Sequence, residues 1–312
     1  MKVSLVATVK DAHPFVREFL SSVRSQSRLP DEFVIVDGGS IDGTLEVLRG
    51  AEGVTVLSEP GANIARGRNV AVRAATHDVI AVSDADCVLA PDWLEQLLHP
   101  IERGADVSAG FYRPLGTSFL QVCAGAAALP EREEVRPGWM PSARSLAFRR
   151  EVFEAAGGYP EWLDIGEDMY LNHRWKESGV RMDLATGAVS FWRLRPTLAS
   201  TWRQYAGYAE GDALAGMYPR RHIIRFAAYG TVLTAVATRK RWLIGLIAAG
   251  GALHAARPIR RAWKRIPGHR PRAAAVAAVP AMMAFIDAAK MWGYLRGQSR
   301  RLERGPAPPP PS

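Results

Sequence analysis

Short β-rich runs alternate with stretches of helical periodicity through the first third of the chain, and this alternation limits the fold more than any other feature. Four runs of four to six residues predict strands, at 3–8, 33–37, 54–57 and 79–83. The segments 14–27 and 64–75 place apolar residues at helical spacing and predict helices between those strands. Strict alternation of strand and helix implies right-handed crossovers, and we therefore expect a parallel sheet flanked by helices.

Carboxylates stand directly after two of the predicted strands. Asp37 ends one run, and Asp84 follows the run at 79–83. In a parallel sheet, ligands bind beyond the carboxyl ends of the strands. Asp84 and Asp86, one residue apart, supply hard oxygen ligands for Mg²⁺ or Mn²⁺, and such an ion keeps open positions for substrate phosphates. The same short pattern also suits a plain turn, so the pair alone leaves both interpretations open.

Three further elements fit a nucleotide-binding site. Glycines after Asp37 permit a tight loop beneath a ligand, whose base or ribose the carboxylate can bind. Arg66 and Arg68, on the helix that leads to the Asp84 strand, suit phosphate or nucleotide contacts, although a solvated helix face explains them as well. Glu167 and Asp168 suit removal of a proton from an acceptor hydroxyl, and a helix N-terminus is their alternative explanation.

In order and spacing these elements resemble the family 2 glycosyltransferases, an inverting group with the GT-A fold. The resemblance implies an α/β fold in which a Rossmann-like, mostly parallel central sheet is flanked by helices. It implies that Asp37 contacts the nucleobase, and that Asp84 and Asp86 bind ribose, diphosphate and a metal ion. It also implies that Asp168, beside Glu167, is the catalytic base.

The resemblance covers residues 3–208, with departures. Gly38 stands where many members carry a second aspartate. Where many carry a histidine, about two dozen residues beyond the Glu-Asp pair, this chain has Phe191-Trp192-Arg193, so Arg193 or Arg195 is expected to neutralise phosphate instead. Processive polymer synthases have a Gln-x-x-Arg-Trp signature, whereas the nearest run here is Trp202-Arg203-Gln204-Tyr205, which favours transfer of a single sugar.

The function implied is metal-assisted transfer of a sugar, with inversion, from a nucleoside-diphosphate sugar to a hydroxyl of a lipid-linked or glycan acceptor. Trp162 is the aromatic residue best placed to line the acceptor side. A nucleotidyltransferase is a second hypothesis, but it would need a glycine-rich loop after the first strand, and residues 8–14 contain no glycine. A silent sugar-nucleotide or lipid-binding scaffold is a third, disfavoured by the presence of Asp84, Asp86 and Asp168.

Charge is distributed unevenly along the chain. From Arg220 to the end there are 18 Lys and Arg against two acids, whereas the preceding residues hold 22 basic and 29 acidic residues. This asymmetry argues against nucleic acid as a partner and favours a surface-binding appendage. The uncharged stretch 242–256 would be about 22 Å long as a helix, against a hydrocarbon core of roughly 30 Å, so we expect interfacial helices with their cations against anionic headgroups.

These observations predict three regions. Residues 1–219 form the GT-A catalytic domain, 220–304 a basic, apolar helical region that associates with the membrane, and 305–312 a disordered proline-rich tail. The short apolar run at the N-terminus predicts a strand rather than a signal peptide, so the expected location is the cytoplasmic face of the cell membrane, by peripheral or monotopic attachment.

Overall fold

The computed structural model describes residues 1–136 and 138–304. These residues divide into two units by their internal contacts. Of the described residues, the first unit contains Met1–Leu115 and Arg132–Arg193, and the second contains Gly116–Glu131 and residues 194–304. The tail predicted at 305–312 lies outside the described residues.

An eight-stranded sheet organises the first unit. Its strands, in chain order, are β1 (Val3–Val9), β2 (Glu32–Asp37), β3 (Thr55–Ser58), β4 (Val79–Val82), β5 (Cys87–Leu89), β6 (Val107–Leu115), β7 (Leu146–Arg149) and β8 (Met182–Arg193). Their order across the sheet is β3-β2-β1-β4-β7-β6-β8-β5. Strand β1 pairs in parallel with β2 and β4, β2 with β3, and β6 with β8, while the other three pairings are antiparallel. The four predicted strands thus form the parallel half of a mixed sheet, and the predicted α/β class is confirmed.

Helices cover both faces of this sheet. They are α1 (His13–Arg24), α2 (Thr44–Arg49), α3 (Ile64–Ala74), α4 (Trp93–Glu102), α6 (Arg150–Ala155) and α7 (Glu167–Glu177), with α5 (Phe119–Ala128) belonging to the second unit. Alternate residues of β1 face opposite sides, so Leu5 joins the buried cluster with Phe19 of α1, and Val6 joins the cluster with Trp175 of α7. Two apolar cores therefore hold the sheet between helical layers.

Helix α3 lies unusually close to the carboxyl end of β1. A Cβ atom on Gly67 would stand 2.2 Å from the hydroxyl oxygen of Thr8, so only glycine fits there. Asn63 caps the helix by accepting a hydrogen bond from the Arg66 amide at 2.9 Å. This close packing brings the middle of α3 to the end of the sheet where Asp84 lies.

The second unit is helical. It contains α5, α8 (Leu198–Leu214), α9 (Pro219–Thr238), α10 (Arg241–Arg265) and α11 (His269–Arg304). Gly293 and Gly297 of α11 meet α8 so closely that a Cβ on Gly293 would lie 1.9 Å from the carbonyl oxygen of Ala206. The predicted C-terminal helical appendage is present, and it also includes α5 and α8, which precede residue 219, because their small and aromatic residues share one buried cluster with α11.

Helices α10 and α11 are longer than the uncharged stretches in the sequence because the basic flanks continue the helices. By length and composition both are long and apolar enough to cross a membrane. Helix α11 runs without a break past Pro280.

Candidate active site

Arg68 links two of the predicted site carboxylates. It projects from α3, with 1 % of its surface exposed. One guanidinium nitrogen donates to Asp84 Oδ1 at 2.5 Å, and another donates to Glu167 Oε1, the first residue of α7. The structure therefore brings together residues 68, 84 and 167, and Arg68 holds two carboxylates where the sequence suggested a contact with the nucleotide.

The electrostatics of this cluster follow from burial and from the paired charges. Burial acts to raise the pKa of Asp84, but the charges of Arg68 and Arg144 outweigh it and hold the pKa below its ordinary value. Burial raises the pKa of Glu167 to about 7, opposed by Arg68 and reinforced by the nearby negative charges of Asp168 and Asp84. Asp84 is thus kept ionised, whereas Glu167 titrates near neutrality.

Asp86 accepts hydrogen bonds from two residues of β8. The Trp192 indole N–H donates to its Oδ2 at 3.3 Å, and the Arg193 amide donates to its carbonyl at 3.2 Å. The Arg144 guanidinium lies 4.2 Å from the centre of the Trp192 ring, and its Nε is 3.9 Å from Asp84 Oδ2. The sequence did not indicate that Arg144 and Trp192 would lie at the site, although Trp192 falls in the run that replaces the family histidine.

Asp168 stands in the first turn of α7, which begins after Gly166 in a left-handed conformation with φ of 92°. Its Oδ1 accepts from the Met169 amide at 2.8 Å, and its Oδ2 accepts from the Ala143 amide at 3.2 Å. The second bond ties the predicted base to the loop that carries Arg144. Both interpretations of the Glu-Asp pair are therefore compatible with its position, since a helix N-terminus and the carboxylate cluster coincide.

Helix α3 also organises the loop ahead of α7. Asn69 donates to the Tyr159 carbonyl and accepts from the Tyr159 amide, each at 2.9 Å. Asn63 donates to the Glu161 carbonyl at 2.7 Å. Trp162 of this loop packs edge-on against Tyr170, with ring centres 5.5 Å apart, and is half-buried. The sequence motif Arg-Asn at 68–69 thus positions both the carboxylates and the loop.

Three predicted residues are engaged elsewhere in the first unit. Asp37 is fully buried, and its carboxylate accepts from the Gly39 and Ser40 amides, each at 3.0 Å, so it organises the β2–α2 loop. Arg66 pairs with Glu59 at the surface. Arg193 pairs with Glu18 and lies over the ring of Phe15. Contact of these three with a nucleotide stays a prediction.

The carboxylates of Asp84 and Asp86 suit a divalent cation whose remaining ligands come from the substrate. Among residues 1–136 and 138–304, no group of three or more His, Cys, Asp or Glu side chains is arranged to hold a metal ion. Asp84 and Asp86 nevertheless offer the one or two carboxylates by which Mg²⁺ is bound when phosphates supply further ligands. The site carboxylates outnumber the guanidinium groups by two when Glu167 is ionised and by one when it is protonated, so the site attracts a cation in both states. The carboxylates are Asp84, Asp86, Glu167 and Asp168, and the guanidinium groups are Arg68 and Arg144.

A mixed sheet with carboxylates at the end of its fourth strand, and an acidic pair at the start of α7, is the arrangement expected of the GT-A fold. Residues 4–120 match the family described as Glycosyl transferase family 2. The prediction of this family from the motifs is confirmed.

Several known proteins are similar to the chain. It is 29 % identical over 198 residues to the succinoglycan biosynthesis protein ExoA of Rhizobium meliloti, covering 58 % of this chain and 59 % of the relative. It is 24 % identical over 207 residues to the O-antigen chain rhamnosyltransferase RfbN of Salmonella typhimurium, covering 61 % and 65 %. These alignments span about three fifths of each relative's length.

Among solved structures, the fold resembles the mannosyltransferase PcManGT from Pyrobaculum calidifontis in complex with GDP-Man and Mn²⁺. The TM-score is 0.53 at 22 % identity, and the match covers 96 % of this chain and 86 % of the other. At this identity the similarity supports the GT-A fold, and the prediction of that fold is confirmed.

Proposed function

We propose that this chain transfers a sugar, with inversion, from a nucleoside-diphosphate sugar to an acceptor hydroxyl, assisted by Mg²⁺ or Mn²⁺. The observation that carries the proposal is the bridge from Arg68 to Asp84 and Glu167, because it joins the predicted metal-binding strand end to the helix that carries Asp168. The solved mannosyltransferase, a complex with a nucleotide sugar and Mn²⁺, supports the same chemistry.

In this mechanism Asp84 and Asp86 would hold the cation, which when bound would stabilise the negative charge on the departing diphosphate. Asp168 accepts the proton of the acceptor hydroxyl as that oxygen attacks the anomeric carbon. The amide of Ala143 donates to one oxygen of Asp168 and fixes its orientation. Arg68 keeps Asp84 ionised and positions Glu167, so these two residues support the reacting groups without touching substrate.

The acceptor side of the proposal rests on Trp162 and on the names of the relatives. Trp162 precedes α7 and presents an aromatic surface of the kind that suits sugar or lipid groups. One relative is described as a succinoglycan biosynthesis protein and another as an O-antigen chain rhamnosyltransferase. We infer transfer of single sugars to a lipid-linked or cell-envelope glycan.

Two substitutions test the chemistry. Asp86→Ala should abolish turnover by weakening metal-dependent donor binding, whereas Asp168→Asn should abolish turnover and leave donor binding nearly unchanged. Donor binding is measured by thermal shift against a panel of uridine, guanosine and thymidine diphosphate sugars with Mn²⁺, and turnover by release of the nucleoside diphosphate. Full activity of Asp168→Asn would show that the base is another group.

We also propose that residues 1–219 act as the catalytic domain and that 220–304 attach it to the cytoplasmic face of the membrane. Large apolar side chains of α9 and α10 are exposed, including Leu233 at 71 % and Leu253 at 79 %. Arginines and lysines at 220–221, 239–241 and 257–265 flank these apolar stretches, which is the pattern of a helix bound to anionic lipid.

Vesicle flotation of the full chain tests this attachment. The variant Leu233→Glu/Leu246→Glu/Leu253→Glu should lose binding to vesicles that contain phosphatidylglycerol, because three charges replace apolar contacts with lipid. Leu29→Glu is the matched control, since Leu29 is 53 % exposed in the first unit. Equal flotation of the triple variant and the wild type would refute the assignment of α9 and α10.

A further inference from the structure

Arg144 lies at the carboxylate cluster. Its guanidinium stacks over Trp192 at 4.2 Å from the ring centre and lies 5.5 Å from the Tyr112 ring. Trp192 in turn donates to Asp86, and Arg144 Nε is 3.9 Å from Asp84 Oδ2. The Arg144 guanidinium therefore lies beside Asp84 and contacts the tryptophan ring that holds Asp86.

The backbone around Arg144 is anchored on both sides. The Ser83 hydroxyl, at the end of β4, donates to the Arg144 carbonyl at 2.9 Å. The Gly110 amide donates to the Ser145 carbonyl at 2.9 Å, and a Cβ on Gly110 would stand 1.9 Å from the Ser145 hydroxyl oxygen. The Arg144 side chain also donates to Ser142 Oγ at 2.8 Å. A guanidinium fixed in this way is preorganised, so little side-chain entropy is lost when it binds an anion.

We propose that Arg144 binds the diphosphate of the nucleotide-sugar donor and neutralises the negative charge that it gains as the sugar leaves. Asp84 has a buried cation in Arg68, and Arg144 adds a second positive charge beside it. A phosphate held by an ion on Asp84 and Asp86 would lie next to Arg144. Arg193, one of the two arginines that the sequence suggested for this task, pairs with Glu18.

This inference rests on the proposed function, and it concerns an arginine that no motif marks. A planar guanidinium forms strong charge-assisted hydrogen bonds to phosphate oxygens. Loss of one such contact weakens binding about ten- to a hundredfold.

The test is isothermal titration of the full chain with uridine and guanosine diphosphates and the matching monophosphates, with and without Mn²⁺. Arg144→Gln keeps a planar side chain without the charge, and Arg144→Lys keeps the charge without the planar group. We expect the Gln variant to bind the preferred diphosphate about ten- to a hundredfold more weakly, with less than about a threefold change for the monophosphate. The Lys variant should retain most of the affinity.

Arg181→Ala is the control. Arg181 precedes β8, and its side chain is 56 % exposed in an ion pair with Asp183, so its loss should leave diphosphate affinity unchanged. Circular dichroism tests whether each variant is folded. If the Gln variant is unfolded, the Lys variant decides the outcome. Retention of its diphosphate affinity supports the proposal, and loss of that affinity overturns it.

Among folded variants, the assignment is overturned and the proposed function stands if Arg144→Gln binds the diphosphate as tightly as the wild type. If the Lys variant then loses affinity, only stacking on Trp192 matters. Failure of the wild type to bind any nucleoside diphosphate would instead refute the proposed function, and this assignment with it.

Discussion

Removal of the Arg68 guanidinium should destabilise the protein strongly and in a pH-dependent way. In Arg68→Met the buried side chains of Asp84 and Glu167, which are 16 % and 6 % exposed, lose their shared cation. Breaking a buried ion pair by removing one partner costs about 3–5 kcal/mol. The loss exceeds what the methionine packing recovers, because a buried carboxylate without its cation is poorly solvated.

The dependence on pH follows from Glu167, whose pKa is raised from 4.5 to about 7 in the folded chain. Between these two pH values the folded chain holds a proton on Glu167 that the unfolded chain has released. The contribution of Glu167 to stability therefore falls by about 1.4 kcal/mol per pH unit as the pH rises, and it levels off above pH 7. Without Arg68, the charge that opposed the shift is gone and the pKa moves higher. The variant should therefore keep losing stability above pH 7, where the wild-type contribution is constant.

Urea unfolding followed by tryptophan fluorescence at pH 6 and pH 8.5 measures both quantities. The deficit of Arg68→Met relative to the wild type should grow by about 1–2 kcal/mol between the two pH values. Arg66→Met is the control two residues away, because its exposed pair with Glu59 is worth about 0–1 kcal/mol. A deficit for Arg68→Met below about 1 kcal/mol, or one equal at both pH values, would refute the reasoning about this cluster.

Two further substitutions test the packing and the metal site. Gly293→Ala should destabilise the helical unit by about 1–3 kcal/mol in thermal unfolding, because the added Cβ would meet the Ala206 carbonyl. Gly230→Ala is the control, since open space surrounds Gly230. Equal melting temperatures of the two variants would contradict the close approach of α11 to α8. Trp192→Phe removes the hydrogen bond to Asp86 and should weaken Mn²⁺-dependent binding of the nucleoside diphosphate about two- to tenfold by titration calorimetry. Unchanged affinity would show that this bond does not support the metal ligand.

The first half of the sheet was predictable because its signals are local. Buried parallel strands are continuous apolar runs, and the residues that follow them mark one edge of the sheet. Val79–Val82 and the following Asp84 could therefore be placed from the sequence alone. Strands β5 to β8 were not predicted, because they take their pairing from strands far away in the chain.

What the sequence determined by itself was the α/β class and the family, and it predicted the site carboxylates, since strand periodicity and motif spacing are properties of consecutive residues. The tertiary structure decided which cation each carboxylate meets. Arg68 and Arg66 stand two residues apart on one helix, yet one is buried between Asp84 and Glu167 and the other pairs with Glu59 at the surface. Arg144 carries no motif and reaches Asp84 only because β4 and β7 pair in the folded sheet. Burial and long-range pairing set these contacts, and neither can be deduced from the order of residues along the chain.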